Sequence, residues 1–499
     1  MTNLLFITVD QWRGDCLSAV GHPCVKTPNL DRLANDGALF LRHYGQATPC
    51  GPSRASLYTG LYMFNHRSVS NGTPLDARHR TVAEIARRAG WDPVLFGHTD
   101  VSADPRGLAP GDPRLRTYEG IAPGFRAELL MGEDLAPWLE HLRRRGHGEL
   151  ALEDLYERPF GTPAPFRAED SETAFLTDRF LEWLDDRKRG GWFAHLSYIK
   201  PHPPYIAAAP WHAAVSPSEV PPPVRAPTLA EEAAVHPWLR LHLELGYGGW
   251  TARHLGQPRD LDAATVARMR AAYYGLIAEL DHHLGRIFAR LTARGEMDRT
   301  LVVFASDHGD MLGDHWMLDK RGFFPQAFHV PLIIRDPSPE AVRGVRIGAF
   351  TEHVDLMPTM LEWLGLAVPL QCDGRSLVPL LRGRRPTGWR DAAVYEHDFR
   401  DLRNGRFERY LELSPEACCL MVRLSRRRAY VHFAALPALC YDLERDPDWR
   451  TDIASDPGRR AEVLAEAQAL LSFRMLGNER RLTGALLTSA GVLGRFDPD

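Results

Sequence analysis

Short apolar runs that stop at acidic or imidazole residues constrain this chain most. Leu4–Val9 stops at Asp10-Gln11, and Pro93–Phe96 stops at Gly97-His98-Thr99-Asp100. Trp192–Tyr198 leads into Ile199-Lys200-Pro201-His202-Pro203-Pro204-Tyr205, and Thr300–Ser306 stops at Asp307-His308-Gly309-Asp310. Val330–Arg335 is a further run of strand formers. Runs this short and this rich in Val, Ile and Phe read as strands buried on both faces of a parallel sheet. Helical stretches separate them: Pro28–Ala34 behind a Thr27 cap, Thr81–Ala89, Ser171–Lys188, Asp262–Arg294 and Asp355–Leu364. The alternation predicts an α/β fold with a large, mostly parallel central sheet flanked by helices. In such sheets ligands collect at the carboxyl ends of strands, where Asp10, Asp307 and His308 stand.

At 499 residues the chain exceeds one ordinary domain. Residues 1–370 read as the α/β unit, with irregular excursions at about 101–170 and 205–260. From 371 to 499 the texture changes to short strands, Ala392–Glu396, Cys419–Arg423 and Ala429–Phe433, and a last helix, Ala461–Arg480. This predicts a smaller antiparallel α+β subdomain, with the tail to Asp499 as an arm for a neighbouring subunit. A net charge of -4, from 60 basic and 64 acidic residues, argues against a nucleic-acid binder. The seven cysteines are scattered with no C-x-x-C pair, which fits a reducing compartment. With no 18-residue apolar run and no basic leader, the expected location is the cytoplasm, away from the membrane.

The string Cys50-Gly51-Pro52-Ser53-Arg54 through Thr59-Gly60 is unusual. Pro52 suits a first helical turn, so Cys50 is expected just before a helix start, where free N–H groups favour negative charge. Arg54 adds a planar donor fork for an oxyanion. Taken alone, a cysteine there is more often a buried structural residue. Asp10, Asp307 and His308 change that balance, because carboxylate and imidazole together suit a divalent cation such as Mn2+.

The chain resembles, over nearly its whole length, the sulfatase branch of the alkaline phosphatase superfamily. The Cys50-x-Pro52-Ser53-Arg54 string is similar to that family's maturation signature, in which the cysteine is oxidised to formylglycine. Within the branch it looks most like the phosphonate monoester hydrolases, which are also phosphodiesterases. Gln11 stands where arylsulfatases commonly carry a second aspartate, and His308 where they carry asparagine beside Ca2+. Gly97-His98-Thr99-Asp100 replaces the usual Gly-Lys-x-His.

The resemblance implies a hydrated aldehyde at position 50 as nucleophile, oriented by Arg54. It implies one divalent metal, Mn2+ favoured over Ca2+, held by Asp10, Cys50 in converted form, Asp307 and His308. Gln11, Asn71, His98, Thr99 and Lys320 are the expected substrate contacts. His202 or Lys320 is the general acid. The implied substrates are small phosphonate monoesters and phosphodiesters, with promiscuity toward sulfate monoesters. The implied partners are a formylglycine-generating enzyme and three further copies in a homotetramer, a dimer of dimers. An arylsulfatase is the alternative, and a non-catalytic binding protein of the same fold is the third reading.

Overall fold

The computed structural model describes residues 2–494 apart from 133, 188, 189 and 248. Lys188 of the expected 171–188 helix and residues 495–499 of the expected arm lie outside the described residues. One sheet has eight strands: β1 Asn3–Asp10, β2 Ala38–Phe40, β3 Pro93–Gly97, β4 Arg126–Leu130, β5 Trp192–Pro201, β6 Thr300–Ser306, β7 Leu332–Arg335 and β8 Val345–Ile347. Their order is β8-β2-β7-β6-β1-β5-β3-β4. β1 lies between β5 and β6, parallel to both. Only β7 runs against its neighbours β2 and β6.

The period of two along β1 divides the core into layers. Leu5, Ile7 and Val9 face a cluster with Leu30, Leu33, Leu176, Phe180, Leu280 and Leu284. Those residues come from α1 Pro28–Asn35, α4 Glu172–Asp186 and α5 Ala263–Ala293. Leu4 and Phe6 face Leu57, Tyr58, Val82, Ala83, Met357 and Met360. That layer is built by α2 Cys50–Thr59, α3 Val82–Arg88 and α6 Leu356–Trp363. All ten residues of α2 are buried, so this helix has no solvent face and runs inside the molecule. It ends at Gly60, whose φ of 68° supplies a left-handed cap.

A second sheet holds β9 Ala392–Asp398, β10 Cys419–Ser425, β11 Arg428–Phe433 and β12 Leu439–Asp442, antiparallel throughout. One face packs on Trp238, Phe323, Phe324 and Phe328. Val394, Tyr430 and Cys440 on the other face meet Leu470 of α7 Arg460–Leu476. The strand Ala47–Thr48 joins this sheet, pairing in parallel with Glu396 and His397. The small sheet therefore grips the chain two residues before Cys50.

Both expected excursions contain regular structure. The first carries edge strand β4 and helix Ala136–Arg144, and the second carries helices Leu229–Ala234 and Pro237–Leu245. β4 has no apolar run because its side chains are all at least partly exposed at the sheet edge.

Candidate active site

Four acceptor-bearing residues meet at the carboxyl ends of the parallel strands. Asp10 is the last residue of β1, and Asp307 and His308 follow β6. Cys50 is itself the first residue of α2, one position later than the sequence implies, with Pro49 at the cap. One ligand atom from each of Asp10, Cys50, Asp307 and His308 lies within 4.8 Å of the others. Cys50 Sγ is 3.2 Å from His308 Nε2 and 4.0 Å from Asp10 Oδ1. Gly51 beside it is closely approached. A Cβ there would stand 3.1 Å from Asp100 O and 3.2 Å from Asn71 Oδ1.

Each group is oriented by a partner. His308 Nδ1 donates to Gly309 O at 3.0 Å, which leaves the lone pair on Nε2 facing the cluster. Asp307 Oδ1 accepts from the backbone N–H groups of Gln11 and His308, at 3.0 and 2.8 Å. Arg54 is fully buried. Its Nε donates to Asp307 Oδ2 at 3.0 Å, its Nη2 to Asp10 Oδ2 at 3.2 Å, and its Nη1 to Ser197 Oγ at 2.8 Å. Ser53 Oγ donates to Asp307 O at 2.5 Å and accepts from His353 Nδ1 at 3.2 Å. Burial opposes ionisation of Asp10, yet His202, His98, Lys320 and His308 hold its carboxyl well below the usual range. Burial and then Asp10 push the Cys50 thiol well up, so in the protein alone it stays protonated and a poor nucleophile.

Lys320 Nζ donates to Gln11 Oε1 at 2.9 Å. Gln11 Nε2 in turn donates to Asp310 Oδ2, which also accepts from Tyr205 OH. Asp310 thus fixes which end of the Gln11 amide faces Lys320. Burial works against the Lys320 ammonium, but Cys50, Asp319, Asp10 and Asp307 hold its pKa well above the ordinary value. Asn71 Oδ1 accepts from the Gly51 N–H at 2.8 Å, binding this loop to the start of α2. His202 Nδ1 donates to Pro203 O at 2.8 Å, and Lys200 Nζ donates to the His202 and Pro204 carbonyls at 3.2 and 3.3 Å. Burial and then Lys320 push the His202 imidazolium down to about 3.

The structure brings Asp10, Gln11, Cys50, Arg54, Asn71, His98, His202, Asp307, His308 and Lys320 into one linked region. Thr99 is the exception. Its hydroxyl donates to Gly120 O and accepts from Ala122 N–H, both at 2.7 Å, and its side chain is fully buried. It braces the 120–122 loop. The sequence reading gave no role to Ser53, Asp100, Ser197, Tyr205, Asp310 or His353. Asp100 and Asp310 each close a strand-end tetrapeptide, a signal available beforehand. Ser197 lies within a strand and carries no such signal.

The donor set fits a divalent cation. Two carboxylate groups, one imidazole lone pair and position 50 converge. Three buried carboxylates, Asp10, Asp100 and Asp307, surround the single Arg54 guanidinium. Comparison with known proteins agrees with this reading. The sulfatase family model matches residues 2–366, and the C-terminal model of N-sulphoglucosamine sulphohydrolase matches 313–472. The multifunctional alkaline phosphatase superfamily protein PehA of Trinickia caryophylli is 40% identical over 512 residues, covering 99% of each chain. The phosphonate monoester hydrolase of Agrobacterium radiobacter superposes with a TM-score of 0.95 at 45% identity, covering 100% of both chains. That of Silicibacter pomeroyi gives 0.94 at 38% identity, also covering 100% of both. The matched residues 2–366 take in the buried Cys-x-Pro-Ser-Arg helix start and the strand ends that face it, and the chain belongs to the sulfatase family of hydrolases, within the alkaline phosphatase superfamily.

Proposed function

We propose that the protein is a metal-dependent hydrolase of phosphonate monoesters and phosphodiesters that acts through a formylglycine derived from Cys50, with sulfate monoesters as secondary substrates. The observation that carries this reading is the convergence of Asp10, Asp307, His308 and Cys50 over the buried Arg54. Asp10, Asp307, His308 and position 50 would hold the cation, Mn2+ in preference to Ca2+ because one ligand is nitrogen. The cation would supply Lewis acidity, and the converted side chain the nucleophilic oxygen. A formylglycine-generating enzyme is the partner that maturation requires.

The chain's own groups do the rest. Arg54 fixes Asp10 and Asp307, the two carboxylates that meet position 50. Lys320, aimed by Gln11, and the Asn71 amide bind the non-bridging oxygens of the ester. His202 protonates the departing alcohol. It is neutral at rest because of burial and the Lys320 charge. An anionic ester set between the two offsets that charge and raises the histidine's pKa at the moment a proton is needed. Thr99 has no part in this assignment.

Residues 1–370 form the catalytic unit in this proposal, and 371–499 the smaller subdomain and arm. Leu471, Met475, Leu476, Leu482 and Leu487 are exposed along α7 and the segment after it. That apolar surface supports a homotetramer built through the C-terminal region. The cytoplasm remains the proposed location. The described residues contain no helix long and apolar enough to cross a membrane.

A sulfate-ester hydrolase is the second reading, favoured by the match of residues 313–472 to a sulphohydrolase model. The test is kcat/KM for an aryl phosphonate monoester, an aryl phosphodiester and an aryl sulfate on one Mn2+-loaded preparation. The first two should exceed the third. Sulfate leading by orders of magnitude would replace this proposal with the second reading.

A further inference from the structure

The loop that carries His202 has few donors of its own. Pro201, Pro203 and Pro204 have no N–H, so its carbonyls must be met from elsewhere. Lys200, the last but one residue of β5, meets two of them. Its Nζ donates to His202 O at 3.2 Å and to Pro204 O at 3.3 Å, on either side of Pro203. The carbonyl between them, Pro203 O, accepts from His202 Nδ1 at 2.8 Å and so sets the plane of the imidazole. We propose that Lys200 is the positioning residue for His202, itself held in place by Glu172.

The anchorage of Lys200 is ionic and buried. Its ammonium lies 3.6 Å from Glu172 Oε1, an ion pair beyond hydrogen-bond range, and Glu172 is the first residue of α4. Lys200, Glu172 and Glu279 of α5 are all more than nine-tenths buried and line one cavity of about 40 Å3. Most of its remaining walls are apolar, Trp138, Leu155 and Leu276 among them. Neither Glu172 Oε1 nor Glu279 Oε1 has a hydrogen-bond partner among the described residues. Burial raises both carboxyls, Glu279 to about 7, and the Lys200 charge opposes the rise in each. An ammonium with two carbonyls and a carboxylate around it, and apolar walls elsewhere, has no other position that satisfies it. Removing it frees the peptide units on both sides of Pro203, and with them the imidazole.

This role rests on the reading that His202 protonates the departing alcohol, and dependence on the leaving group separates the two failures. The measurement is kcat and KM on Mn2+-loaded full-length protein with the ethyl and the nitrophenyl monoester of phenylphosphonate. Lys200→Met should lower kcat for the ethyl ester by about 10–10^2-fold, leave KM near the wild-type value and barely change the nitrophenyl ester. Lys200→Arg should recover most of the loss, since the adjoining cavity gives a guanidinium room to reach the same carbonyls. In a His202→Ala background Lys200→Met should have no further effect.

No loss, a loss equal for both esters, an arginine variant as poor as the methionine one, or a loss that persists without His202 overturns the positioning role and leaves His202 as the acid. A His202→Ala variant without leaving-group selectivity overturns that reading and this role together. If Lys200→Met does not fold, Glu172→Gln, which keeps the side chain's shape and removes its charge, decides. It should show a smaller loss of the same selectivity, and an unselective loss or none overturns the role.

Discussion

The large sheet and the small sheet both reach the Cys50 helix, and they contribute different things. The large sheet delivers charge. Asp10 and Asp307 stand at its strand ends, and Ser197 of β5 completes the shell of Arg54. The small sheet delivers position. It takes in Ala47–Thr48 as a strand, and Glu396 N–H donates to Gln46 O at 2.8 Å. Gln46 lies four positions before Cys50. The contrast teaches that chemistry and placement reside in different parts of the molecule, so substitutions should be able to damage one without the other.

The largest effect should come from removing the group that both sheets serve. Cys50→Ala should lower kcat by about 10^4-fold or more, with the melting transition little changed. Arg54→Ala should strike the large sheet's contribution next. It leaves Asp10, Asp100 and Asp307 buried without their counter-charge, at a cost of about 3–5 kcal/mol in urea unfolding. Added Mn2+ should restore part of that loss by supplying positive charge to the same carboxylates. If Mn2+ does not stabilise the variant, the carboxylates are not the ligands.

His202→Ala should show a smaller and selective effect. With alkyl leaving groups kcat should fall about 10^2-fold, and with nitrophenolate, which departs without a proton, the fall should be much less. An equal loss for both would remove His202 as the proton donor.

The smallest effect belongs to the small sheet. Burial raises the Glu396 carboxyl to about 8, so the folded chain keeps a proton that the unfolded chain releases above its ordinary 4.5. Its contribution to stability is fully present below about pH 4.5 and is lost as the pH rises through about 8. Glu396→Gln keeps an acceptor for the Phe64 N–H and should flatten the fall in melting temperature between pH 5 and 8.5, with kcat unchanged. A variant that melts with the same pH slope as the wild type would remove Glu396 as its source.

The strand ends were legible because β1 and β6 are buried on both faces and so read as unbroken apolar runs. Cys50 and Arg54 were legible because their spacing is rare. The grip of Glu396 on Gln46 was not, since a two-residue strand pairing across some 350 positions leaves no local pattern. The reversed direction of β7 was hidden because an apolar run reads the same whichever way the strand points. Thr99 was expected among the substrate contacts because sequence puts it at a strand end, and sequence does not show that its hydroxyl is bonded to Gly120 and Ala122. Asp310 was passed over because its task is indirect: it sets the Gln11 amide that aims Lys320.

The central claim is that the residue doing the chemistry at position 50 is no longer a cysteine. It is tested most directly by the mass of the peptide carrying that position, taken from preparations of graded specific activity. The account predicts the aldehyde form, in a fraction that rises in proportion to kcat. Full activity in protein whose position 50 is entirely unmodified thiol would contradict it.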